Sequence, residues 1–294
     1  MKKKAVQIIL WIGIMAVLTV FAMGLWAVLT GGSQSTESLK WLQFMQTVAT
    51  FLLPPIICAW MWDEEHKPLR WLKLDKGAWT GDWSLMIIAV AIMVCAIPGI
   101  NLLADLNSRV ELPDSLDFIE QKLKAYEASA ALLTERFLAA DNMGQLLVNI
   151  GLMALLPAMA EELSFRGTLQ QIICKEQSDK GQSPKVHVAI WVTAFIFSAI
   201  HMQFYGFVPR MLLGAMFGYM FVWSGSLWLP IVMHFTNNGL AVILYYITDA
   251  GAAAEYTKNI ADTLGTGDTW WLGVLSLLIT FPGLLIFYRR TRKQ

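Results

Sequence analysis

The sequence predicts an all-α polytopic membrane protein, a bundle of about eight transmembrane helices with a polar site in an intramembrane cavity. Three observations carry this. Of 294 residues, 56% are hydrophobic and only 15% charged, where a soluble domain carries about 25% charged residues. Mean hydropathy is +0.52. Seven stretches lack Asp, Glu, Lys and Arg altogether: residues 5–36, 41–62, 83–104, 142–160, 188–209, 211–248 and 269–288. About 18 or more uncharged apolar residues suffice to cross a bilayer as a helix. A cytosolic enzyme, a disordered chain and a nucleic-acid binder are thereby excluded. With Lys+Arg and Asp+Glu both at 22, the net charge selects no polyanionic partner.

Each element follows in order. The first run comes after Met1-Lys2-Lys3-Lys4. It exceeds the roughly 7–15 apolar residues of a secretory signal and closes on no small-residue cleavage site, so it reads as a helix. The second and third runs carry Trp41, Trp60, Trp62 and Trp83 near their ends, where an interfacial aromatic belt places tryptophan. Residues 112–140 open on Pro-Asp-Ser and scatter Leu116, Ile119, Leu123, Leu132, Leu133 and Phe137 among charges, the pattern of a helix lying on the outer interface. The fourth run stops at Glu161-Glu162, yet apolar residues resume at Leu163, Phe165, Leu169, Ile172 and Ile173. Residues 142–174 therefore read as one long helix, kinked where Pro157 removes a backbone hydrogen bond. The sixth run of 38 residues would be roughly 57 Å long as one helix. Ser224-Gly225-Ser226, with Pro230 behind it, supplies the turn that folds it back. Residues 249–268 read as a loop before the last helix.

Placing the N-terminus inside puts fourteen Lys/Arg in inner segments and seven in outer ones, Arg210 among the seven. That bias orients the chain with both termini cytoplasmic, as a multi-pass protein of the cell (inner) membrane. The organisation is N-terminal helices with an outer interfacial segment (1–140), a core of four helices (141–248), and an outer loop, last helix and basic tail (249–294). Cys58, Cys95 and Cys174 lie in or beside helices and read as buried thiols rather than a disulfide framework.

Ionisable groups at membrane depth are costly and are functional hypotheses by default. Here they are few: Glu161, Glu162 and Arg166 in the long helix, His201, and His234. Glu162 and Arg166 are i,i+4 with the acid first, the favoured order for an ion pair. Glu161 is turned about 100° from Glu162 and so faces a different wall. A carboxylate in a poorly solvated cavity is a stronger base than one in water, which suits general-base work near neutral pH. Phe197 and His201 are i,i+4, as are His234 and Asn238; the latter pair is spaced to hold one oxygen atom. Burying both without use would waste several hydrogen bonds. The competing reading is a structural charge cluster with packing histidines. Gly214 and Gly218 form a small-residue face for close helix approach. No G-x-S-x-G is present, so a water nucleophile is favoured over serine or cysteine.

Three motifs then stand in order on separate hydrophobic helices. Glu161-Glu162-Leu163-Ser164-Phe165-Arg166, followed by Gly167, has the form EExxxR. Phe197-Ser198-Ala199-Ile200-His201 has the form FxxxH, and His234-Phe235-Thr236-Asn237-Asn238 the form HxxxN. Together, over roughly 145–245, they resemble the CPBP family of intramembrane peptidases, which includes CAAX prenyl endopeptidases and bacteriocin-processing or self-immunity proteins. The resemblance implies a metal-free glutamic mechanism without cofactor. It implies that Glu161 is the general base with His201 helping to activate water, and that His234 and Asn238 stabilise the oxyanion. Glu162, Arg166 and Phe197 become supporting residues. The implied partners are membrane lipid and a peptide or membrane-protein substrate. Three alternatives remain at this level: a metal held by Glu161, His201 and His234, a proton-coupled transporter, and a non-catalytic immunity scaffold. One geometric difficulty also stands, because His201 falls near the outer end of its run and His234 near the inner end of its own.

Overall fold

The structure is a computed structural model and describes residues 2–75, 82–174, 183–249 and 264–292. Its long helices are α1 (Lys2–Thr30), α2 (Thr36–Trp62), α3 (Trp83–Ser108), α4 (Asp117–Leu138), α5 (Met143–Ile173), α6 (Pro184–Ala199), α7 (Phe207–Ser224), α8 (Trp228–Asp249) and α9 (Trp270–Thr291). No strand occurs among the described residues. Six helical stretches, corresponding to α1, α2, α3, α5, α7 and the last helix with the turn before it, are long and apolar enough to cross a membrane. The two other expected helices are present but differ. The 16 residues of α6 are short for a span, and α8 has the length but carries His234, Asn237 and Asn238 in its middle. The protein is an all-α, multi-pass integral membrane protein. Many side chains on α1 and α9, including Val17, Val20, Phe21, Leu278 and Phe281, are exposed, which suits lipid and not water.

Local chemistry explains the element ends. Ser35, Asp82 and Asn142 cap α2, α3 and α5 by accepting from backbone N–H groups two or three residues on, satisfying donors the first turn leaves open. The expected fold-back occurs at Gly225, whose φ of +68° closes α7 and which glycine adopts without steric cost. Residues 250–263, most of the loop expected at 249–268, lie outside the described residues. The helix expected in 112–140 forms as α4, with Leu116, Ile119, Leu132 and Leu133 exposed and Phe137 buried. Two expectations need correction. Cys58 and Cys174 are buried, but Cys95 is exposed on α3. Arg210, counted above among outer loop cations, sits in the first turn of α7, because that helix starts at Phe207, inside the fifth charge-free run.

The long helix α5 is not uniform. Two π-helical segments, Ile150–Leu155 and Phe165–Gln170, flank the regular stretch Leu156–Ser164 that holds both glutamates. Leu156 N–H bonds back five residues to Gly151, and the widened turn leads into Pro157, which has no N–H to give. A sequence kink thus becomes a π-segment, a device frequent at functional sites. The core sits where α3, α7, α8 and α9 meet, around Met93, Phe217, Met220, Leu229, Met233 and Phe287.

Candidate active site

Glu161, Phe197, His201, His234 and Asn238 line one cavity of about 390 Å³. Its other walls come from Ile100 and Ala104 of α3, Gly206, Pro209, Arg210 and Leu213 around the start of α7, Phe217, and Asn237. The geometric difficulty resolves through the shortness of α6. That helix ends at Ala199, and residues 200–206 turn back at once into α7. At 16 residues, α6 rises only about 24 Å, so His201 stays at the level of the cavity.

The turn is held tightly. His201 Nδ1 lies 2.7 Å from Phe197 O; a carbonyl only accepts, so Nδ1 carries the proton and Nε2 is left for the cavity. Met202 takes a left-handed φ of 54°, a strained conformation for a side-chain-bearing residue. Buried Asn107 spans the turn from α3, donating to Phe204 O at 3.0 Å and accepting from Val208 N at 3.1 Å. Glu127 of α4 accepts from Tyr205 N at 3.2 Å. Lys124, with Leu112 N–H, holds the Glu120 carboxyl of the same helix below its usual range.

Behind the cavity the two glutamates part company, as their rotation on one helix predicts. Glu161 reaches the cavity with its side chain 16% exposed, and its Oε2 stands 3.9 Å from His234 Nε2. Glu162 is wholly buried. Its Oε1 accepts from Arg166 Nη1 at 2.7 Å and contacts His234 Nδ1 at 2.9 Å. The imidazole within 4 Å of Glu161 is therefore that of His234. Arg166, also fully buried, donates from Nη2 to Gly214 O at 2.9 Å and lies over the Phe197 ring at 4.6 Å. Phe197 in turn meets His201 at 5.2 Å and His234 at 6.1 Å between ring centroids. Phe217 stacks on His234 at 5.3 Å. Asn238 Nδ2 contacts Met153 O at 3.4 Å, and its Oδ1 accepts from Asn237 Nδ2 at 3.0 Å.

The small-residue face of α7 does more than pack. A Cβ on Gly214 would stand 3.2 Å from Arg166 Nη2 and 3.3 Å from Ala194 Cα, so glycine admits the guanidinium to the Gly214 carbonyl. Gly218 O accepts from Gln170 Nε2 at 3.3 Å. Sequence reasoning missed Arg210 and Asn237 as cavity residues. The signal for Arg210 was present: proline is tolerated in the first turn of a helix, and Pro209 read so would have moved Arg210 from a loop into the helix.

Chemically the cavity offers a carboxylate, two oriented imidazoles, carboxamides and a guanidinium, with a buried Glu–Arg pair fixing one imidazole. Among the described residues, no three His, Cys, Asp or Glu side chains are gathered as a metal ion needs. Comparison with known proteins agrees on the region. Residues 143–240 match the family model described as type II CAAX prenyl endopeptidase Rce1-like. A protein of Bacillus subtilis (strain 168), named uncharacterized protein YpbD, is 30% identical over 87 residues, covering 28% of this chain. The matched stretch spans 38% of that relative's length. No solved structure matches the chain. The stretch that builds the cavity is thus similar to Rce1-like type II CAAX prenyl endopeptidases, which supports the resemblance of the three motifs to the CPBP intramembrane peptidases.

Proposed function

We propose that the protein is a glutamic-type intramembrane endopeptidase acting on a membrane-associated or lipid-anchored peptide, with lipid as its surroundings. The observation that supports this most is the convergence of Glu161, His201, His234 and Asn238, from three separate stretches of chain, on one cavity. In this reading a water shared by Glu161 and His201 Nε2 attacks the scissile carbonyl carbon, and its proton passes to the Glu161 carboxylate. His234, oriented by Glu162, and the Asn238 amide hold the resulting oxyanion. Losing one such donor costs about 10²–10³ in rate. Glu161 then returns the proton to the leaving nitrogen as the C–N bond breaks, yielding one new carboxylate and one new amine. Glu162, Arg166 and Phe197 hold the histidines in register. The charge bias of the loops supports a cell (inner) membrane orientation with both termini in the cytoplasm.

The test compares protein N-termini across cells expressing the chain or its Glu161→Gln variant, with and without a chelator. Expected are new termini that require Glu161 and persist under chelation. Termini that vanish on chelation would make the enzyme a metallopeptidase. Identical termini at equal expression would refute the peptidase and bring the scaffold and transporter readings forward.

A further inference from the structure

Arg210 is the cation of the cavity that this mechanism leaves unused. Arg166, by contrast, is neutralised by Glu162. The one hydrogen bond of the Arg210 side chain among the described residues runs from Nη2 to Gln203 Oε1 at 2.5 Å, a neutral amide. Its Nη1 is buried with no partner. Buried charges are ordinarily paired, and an orphaned buried donor calls for a missing ligand, ion or water. The guanidinium is also closely seated. It lies against Gly206, where a Cβ would stand 3.1 Å from Nη2 and 3.4 Å from Nη1, and both residues line the cavity. The carboxylates of Glu127 and Glu161 act on this guanidinium only through space, without a hydrogen bond, so an anion entering there would supply the bonded partner, for which the planar guanidinium is the best suited side chain.

We propose, resting on the peptidase reading, that Arg210 is a specificity residue that binds a carboxylate of the peptide substrate. A peptide has two sources of that group, its C-terminus and its Asp or Glu side chains. The site so defined selects where along a peptide the cut falls, because the anchored carboxylate fixes its distance from Glu161.

The experiment uses the full-length protein in detergent or liposomes and a set of synthetic peptides in four forms: parent, C-terminally amidated, with Asp and Glu replaced by Asn and Gln, and with both changes. Expected is a loss of about tenfold or more in kcat/KM, carried by KM, in whichever arm removes the anchoring carboxylate; that arm names the source. Arg210→Gln brings the ratio between carboxylate and neutral peptides to about one, and Arg210→Lys restores part of it. Equal kcat/KM for all four forms with the unaltered protein overturns the proposal without needing any variant. So does an Arg210→Gln variant that loses kcat equally on acidic and neutral peptides, the mark of a role at the reacting atoms or in the fold. Failure of the unaltered protein to cut any form would overturn the peptidase reading itself, and this inference with it.

Discussion

At the scale of single residues the costliest commitment is the Glu162–Arg166 pair, with both side chains fully buried and 2.7 Å apart. Such a pair gains little over an apolar filling, but removing one partner strands the other charge, at about 3–5 kcal/mol. Arg166→Met should therefore destabilise the protein by about that much, read as thermal unfolding in detergent. A loss below about 1 kcal/mol, the size of an exposed pair, would refute the burial. These positions were legible in the sequence because i,i+4 spacing on a charge-free helix leaves little freedom. Which glutamate meets which histidine was not, since that depends on the rotation of α8 against α5. The structure brings His234 to both carboxylates.

At the scale of elements, helix contacts are made where side chains are smallest. Gly214 lets the carbonyl of α7 reach Arg166, and Gly214→Ala places a Cβ 3.3 Å from the backbone of α6. Overpacking of this kind costs about 1–3 kcal/mol, and activity should fall with it as Arg166 is displaced. A Cβ added at Gly13 or Gly24 on α1 would meet nothing within 4 Å, so Gly13→Ala should leave stability unchanged or slightly raised. Unfolding midpoints of the two variants side by side check this; equal effects would deny the close approach. The sequence marked the glycine face but not its second use, because a periodicity reports which side of a helix is small and not what lies against it. Likewise Pro157 announced a disturbance in α5, and only the packed helix converts it into π-segments on either side of the glutamates.

At the scale of the whole molecule, the proposed orientation, both termini in the cytoplasm, rests on loop charges and not on the helices themselves. Single cysteines placed at Lys3 and Arg292 should react with a membrane-impermeant maleimide only after the cells are opened; labelling of either in intact cells would reverse or break the topology. The cavity draws on α3, α5, α6, α7, α8 and the α6–α7 turn together, so its shape belongs to the bundle and not to any one motif.

Membrane residence, the order of the helices and the identity of the charged and polar residues within them were determined by the sequence alone. Burial in lipid penalises every unpaired charge, so the few that remain stand out against apolar runs. Tertiary structure decided the rest: that α6 stops at Ala199, that α7 starts early enough to turn Arg210 inward, and that Asn107 of α3 clamps the turn between them. Those outcomes rest on contacts between residues far apart in the chain, and hydrophobic periodicity is a local signal that carries no record of them.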